Sequence, residues 1–200
     1  MDKKAQTIKS YNDNAQSFAK KFDALGSRAD RGIKEAFALV NRLNPNVLEI
    51  GCGNGRDAEE IIKYTNDYLG IDISEKLIEL ARQKVPRARF EVADIERYTF
   101  PEKLDIIFAF ASLIHASKEG LQRILKQLFG ALNSGGVIYL SMKYGDVYDE
   151  VTKEDELGVR THYLYSIEDI KELTQDFIVV KSALEDRGGR LWVEVMLQKK

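Results

Sequence analysis

The chain has one cysteine, Cys52, in 200 residues, which excludes an intrachain disulfide framework and a multi-cysteine metal site and fits a reducing, cytoplasmic setting. It has only two histidines, His115 and His162, with no carboxylate or cysteine at ligand spacing beside them, so no metal signature is present. Apolar runs are strand-length, too short to cross a membrane, and the start Met1-Asp2-Lys3-Lys4-Ala5-Gln6 has no signal-peptide core. Charge of one sign is missing as well. Lys+Arg 30 against Asp+Glu 32 leaves the chain near neutral, without the broad positive field of a nucleic-acid binder. A local basic patch stays open.

What is present is a core's worth of apolar residues, 44% of the chain, in one alternating pattern. A single domain over residues 1–200 is expected. Val47–Ile50 reads as a strand, 57–63 as a helix and Tyr68–Asp72 as a second strand. Ser74 caps a helix carrying Leu77, Ile78 and Ala81 on one face, and Pro86 ends it. Arg89–Ala93 follows as strand. Ile106–Phe110 is continuously apolar, as in a central parallel strand covered on both faces. Leu121, Ile124, Leu125, Leu128 and Leu132 recur at helical spacing, and Asn133-Ser134-Gly135-Gly136 stops that helix before Val137–Leu140. A helix capped by Ser166 precedes Phe177–Val180 and Leu191–Leu197, which the turn Glu185–Arg190 joins as a hairpin. The pattern predicts an α/β fold: a doubly wound, mostly parallel seven-stranded sheet with an antiparallel terminal hairpin and helices on both faces.

Two segments fall outside the alternation. Residues 1–44 predict two helices, 2–25 and 31–43, and 143–165 is an acidic stretch with four tyrosines and no strong periodicity. Both are expected to close over the ligand crevice, which in open α/β sheets lies beyond the carboxyl ends of the strands.

The sharpest motif is Glu49-Ile50-Gly51-Cys52-Gly53-Asn54-Gly55, between the first strand and the next helix. Glycines here allow a sharp turn and close approach of a ligand, and a helix N-terminus beyond them favours a carboxylate. Asp72 ends the second strand, where an acid can accept from both ribose hydroxyls, and Ile73 follows it. A dinucleotide enzyme would use the same setting, but Arg56 stands where its fingerprint requires glycine or alanine. Glycines serving only a tight turn is the remaining bland reading.

The glycine motif, Asp72, and Asp94-Ile95 at the close of the third strand together resemble the class I S-adenosylmethionine (SAM)-dependent methyltransferases, over about residues 45–200. The resemblance implies SAM as cofactor, with Glu49, Gly51, Cys52, Gly53 and Gly55 around the methionyl end. It further implies Asp72 on the ribose, Ile73 on the adenine face, Asp94 on the adenine amine with the Ile95 N–H beside it, and the segment from Phe110 bordering the methionyl group. Tyr11 is expected either to fold over the sulfonium, where an aromatic gains cation–π attraction, or to form with Phe18 the buried stripe of the first helix. His115 is the candidate proton-transfer residue, or a pocket-shaping one. Trp192 is expected to pack in the sheet.

The resemblance implies methyl transfer by in-line displacement to a small-molecule acceptor. A nucleic-acid or protein methyltransferase is disfavoured by the balanced charge, the lack of an appended recognition domain and the absence of an N/D-P-P-Y/F motif after the fourth strand. A SAM-binding module without activity is the other alternative. Neither the acceptor nor the oligomeric state is legible.

Overall fold

The computed structural model describes residues 2–25 and 29–200. Residues 1 and 26–28 of the expected domain lie outside the described residues.

The central sheet is built from β1 (Val47–Ile50), β2 (Tyr68–Asp72), β3 (Arg89–Val92), β4 (Leu104–Phe110), β5 (Leu132–Lys143), β8 (Ile178–Asp186) and β9 (Leu191–Gln198), in the order β3-β2-β1-β4-β5-β9-β8. All neighbours from β3 to β5 are parallel, and β9 runs antiparallel to both β5 and β8. The order reverses between β1 and β4, which fixes the ligand crevice beyond Ile50 and Phe110. Every residue of β1 and β4 is buried, including Glu49 and Asp105, as in central parallel strands covered on both faces. One core layer gathers Ile107, Leu121, Leu125, Leu128 and Leu140 on one face, and another gathers Ile33, Ile61, Ile78, Ile106 and Phe108 on the other.

The helices α5 (Glu75–Lys84) and α7 (Ile167–Leu173) start just after the capping serines expected, Ser74 and Ser166, and α6 (Lys118–Ala131) starts after Ser117. Ser74 Oγ accepts from Leu77 N, Ser117 Oγ from Gly120 N, and Ser166 forms a capping box with Asp169.

Four expectations are corrected. The first helix is two, α1 (Lys3–Asp13) and α2 (Ala15–Ala24), because Asn14 leaves helical geometry and its side-chain amide donates to Leu157 O at 3.3 Å. Next, α3 (Ala29–Val40) ends before Leu43, since Asn41 adopts a left-handed φ of 46°. The helix after the glycine loop, α4 (Ala58–Ile61), has only four residues, its continuation tightening into i→i−3 bonds at Lys63 and Tyr64. A helix this short supplies little of the dipole expected to hold a carboxylate. Finally, most of 143–165 is ordered strand: β6 (Asp149–Asp155) and β7 (Gly158–Leu164) pair as a separate antiparallel hairpin. Its free edge is satisfied by side chains, with Ser10 Oγ donating to Val159 O at 2.8 Å and Thr161 N to Thr7 Oγ1 at 3.0 Å.

Candidate active site

The glycine loop is the floor. Gly51, Gly53 and Gly55 all have positive φ, at 69°, 55° and 77°. Gly51 is constrained twice, because a Cβ there would stand 2.2 Å from Ser112 Cβ as well as being strained. Gly51 N and Cys52 N both donate to Ile71 O, at 2.7 and 3.0 Å, pinning the loop to β2. The Cys52 side chain is buried in the core, which leaves its backbone to face the crevice, and burial pushes its thiol pKa up.

Glu49 is buried and accepts from Tyr68 Oη at 2.5 Å. Burial, with the neighbouring Asp57 carboxylate, pushes its carboxyl up to about 8. It thus anchors the loop from within the protein. Asp72 accepts from Gly53 N at 2.9 Å through one oxygen and from Ser74 N at 2.8 Å through the other. Each oxygen keeps a lone pair for a hydroxyl. Burial raises the Asp72 pKa, and the Ser74 and Gly53 N–H groups oppose that rise. Ile73 and Ile95 are half-buried at the ends of β2 and just beyond β3.

Asp94, the acid assigned to adenine, is held by Lys4 Nζ at 2.7 and 2.8 Å. Lys4 also bonds Glu96. Nothing in the local sequence pointed to Lys4.

The Phe110 ring stacks on Phe108 at 5.2 Å and lies 5.3 Å from Tyr139, so the core takes its side chain. Strand alternation puts Phe108 and Phe110 on one face. Beyond it the chain turns at Ala111, a non-glycine with φ 56°, and then at Ser112. Among the described residues, Ser112 Oγ is the buried side-chain polar atom left without a hydrogen-bond partner. It lies against Gly51 at the point where the strand order reverses.

The N-terminal helices form one wall. Tyr11 Oη is 3.0 Å from His115 Nε2, and His115 Nδ1 is 2.6 Å from Thr161 O. Because a carbonyl only accepts, Nδ1 carries the proton, so Nε2 accepts from Tyr11. Removal from water lowers the His115 pKa to about 4 and raises that of Tyr11 to about 12. The Tyr11 ring meets Phe18 at 4.6 Å, across the break between α1 and α2, while its hydroxyl reaches the turn after β4. Asn54 Nδ2 donates to Asp23 Oδ1 at 3.0 Å and Arg56 Nη1 to Phe22 O at 3.2 Å, tying α2 to the glycine loop. Asn12 Oδ1 accepts from Ser74 Oγ at 2.8 Å, tying α1 to the start of α5. Trp192 is buried against the sheet beneath the Arg187 guanidinium at 5.1 Å, as expected of a packing residue.

A doubly wound sheet with an appended antiparallel strand and a glycine cradle at its switch point defines the class I methyltransferase fold. Residues 47–136 match the family described as a methyltransferase domain. Its relatives include malonyl-[acyl-carrier protein] O-methyltransferase 1 of Ilyobacter polytropus, 28% identical over 162 residues, covering 76% of this chain and 59% of that protein. Trans-aconitate 2-methyltransferase of Variovorax paradoxus is 33% identical over 99 residues, 48% of this chain and 38% of that protein. The chain therefore spans less than two thirds of the length of these curated relatives. In fold it is similar to the 1,6-didemethyltoxoflavin-N1-methyltransferase of Burkholderia thailandensis, solved with 1,6-didemethyltoxoflavin and S-adenosylhomocysteine. That likeness has a TM-score of 0.74 at 18% identity, and covers 98% of this chain and 88% of that one. No helix among the described residues is long and apolar enough to cross a membrane.

Proposed function

We propose that this protein binds SAM across the glycine loop and transfers its methyl group to a small-molecule acceptor. The observation that carries the reading is the orphaned Ser112 hydroxyl, a donor and acceptor buried against Gly51 where the strand order reverses. Support comes also from the free lone pairs of Asp72 and from the relatives' names, which are those of methyltransferases with acyl and organic-acid acceptors.

When bound, SAM supplies an electrophilic methyl on a sulfonium. The chain's part is placement. Asp72 accepts from the ribose hydroxyls, Asp94 and the Ile95 N–H face the adenine edge, and Ile73 packs on its face. Glu49 and the backbone at Gly51, Cys52, Gly53, Gly55 and Phe110 shape the methionyl end. Tyr11 lies over the transfer site from α1, and the fold acts as one domain with the N-terminal helices and the β6–β7 hairpin as its cover. In-line transfer needs aligned nucleophile, methyl and sulfur more than it needs a base. His115, neutral and engaged on both nitrogens, serves as a positioning residue that holds Tyr11 and Thr161 rather than as a proton acceptor. A cytoplasmic location accords with the single, buried, unpaired thiol.

Calorimetry of the full chain with S-adenosylhomocysteine and with NAD tests this. Binding of the first in the micromolar range, near about −8 kcal/mol, without binding of NAD is expected. Binding of NAD alone would overturn the assignment.

A further inference from the structure

Lys143 is the last residue of β5, at the same carboxyl edge of the sheet as Ser112. It is half-buried, and among the described residues no carboxylate lies within ion-pair distance of it. The charged groups whose fields act on it are cationic: Lys21 of α2, Lys153 and Arg160 of the β6–β7 hairpin, both paired with Asp155, and Arg190 of the β8–β9 turn. His162 on β7 and His115 lie in range as well. The nearby acids are already engaged. Asp155 bonds Arg160 bidentately at 2.8 Å and pairs with Lys153 at 2.6 Å, while Glu194 pairs with Arg187 and accepts from Tyr139 Oη at 2.5 Å.

A half-buried ammonium among like charges is unfavourable for a folded protein, and such sites persist where an anion completes them. The burden is visible in the Lys143 pKa, lowered to about 8 by burial and by Arg190, Lys153, Arg160 and Lys21. The two histidines are lowered as well, by burial first and by Lys143 and Arg160 after it. The overall charge of the chain hides this patch, because the surplus is local.

We propose that Lys143, with Arg190 and His162 around it, is the anion post of the acceptor pocket, and that the methyl acceptor is a small molecule carrying an anionic oxygen group. The proposal deepens the methyltransferase reading and rests on it for the word acceptor.

The test is calorimetry of the full chain, with and without saturating S-adenosylhomocysteine, using trans-aconitate, its uncharged trimethyl ester and inorganic phosphate as probes. At least one of the two anions should bind saturably and the ester should not; which anion binds distinguishes a carboxylate from a phosphate acceptor. Lys143→Met should weaken that binding at least tenfold, leave S-adenosylhomocysteine affinity within twofold, and raise the melting temperature of the ligand-free protein. Wild-type affinity for the anion should fall as pH rises through about 8, where Lys143 loses its charge. The proposal is overturned if neither anion binds, if the ester binds as well as the acid, or if Lys143→Met changes nothing. It is overturned also if S-adenosylhomocysteine affinity drops in step with the anion's, because the post then holds the cofactor's own carboxylate. Absence of S-adenosylhomocysteine binding to the wild type sinks the cofactor reading instead, and the anion titrations without it remain informative.

Discussion

The Tyr11 hydroxyl donates to His115 Nε2 at 3.0 Å, joining the first helix to the turn that follows the fourth strand, 104 residues away. With Nδ1 spent on Thr161 O, the imidazole has no free nitrogen while this contact stands. Three elements, α1, β7 and the turn after β4, are thereby locked in one geometry over the crevice.

The first prediction follows from that lock. With His115 depressed to about 4, kcat/KM should show no imidazole-governed rise between about pH 5.5 and 7, and Tyr11→Phe should raise acceptor KM more than it lowers kcat. A profile that climbs through pH 6 to 7 in the wild type and flattens in His115→Gln would restore His115 as the base.

The same depression has a stability consequence. The unfolded imidazole binds a proton near its ordinary value of 6.5 while the folded one does so only near 4, so the unfolded state takes up more protons between these limits. Stability contributed by neutral His115 is complete above 6.5 and is lost as pH falls toward 4. His162 is depressed over the same window and adds to the loss. Thermal melts across pH 4 to 7 should show the slope shrinking in His115→Gln and further in the double variant with His162→Gln; equal slopes in all three would count against it.

Asp72→Ala should weaken S-adenosylhomocysteine by about 1.5–3 kcal/mol, roughly ten- to a hundredfold, by removing the acceptor for two hydroxyls. The variant also loses the bonds from Gly53 N and Ser74 N, so its melting temperature should fall. Calorimetry on variant that circular dichroism shows to be folded checks the first effect separately. Unchanged affinity would move the nucleoside elsewhere.

Ser112→Ala should act oppositely on the free and bound protein. It removes a buried hydroxyl with no partner, raising the stability of the free chain by about 1 kcal/mol, and it removes a group available to the cofactor, weakening affinity severalfold. Gly51→Ala should lose both, because its Cβ collides with Ser112 at a backbone angle that alanine resists. A Ser112→Ala protein with unaltered affinity would remove that hydroxyl from the site.

Asp94→Ala should weaken S-adenosylhomocysteine, whereas Lys4→Met should tighten it or leave it unchanged, since the lysine competes for the carboxylate that adenine would use. Equal losses in both variants would mean that Lys4 helps to build the nucleoside site.

The fold and the glycine loop were legible because their signals are local. Buried parallel strands need unbroken apolar runs such as Ile106–Phe110, a turn with positive φ needs glycine at 51, 53 and 55, and an acid at the end of β2 needs only its position in the chain. What the local pattern could not carry was decided by contacts between distant segments. The β6–β7 hairpin has no apolar alternation to announce it, because its free edge is completed by hydroxyls of Thr7 and Ser10 on α1. Asn14 breaks a helix that the surrounding residues would continue, because Leu157 offers a carbonyl 143 positions away. Lys4 reaches Asp94, Tyr11 reaches His115, and Lys143 comes among other cations, only once the sheet has brought their elements to one edge. Glycine turns and strand interiors are specified by the conformational limits of neighbouring residues, so the sequence by itself determined the floor of the site. Its walls and their protonation states depend on burial and partner geometry, which exist only in the folded chain.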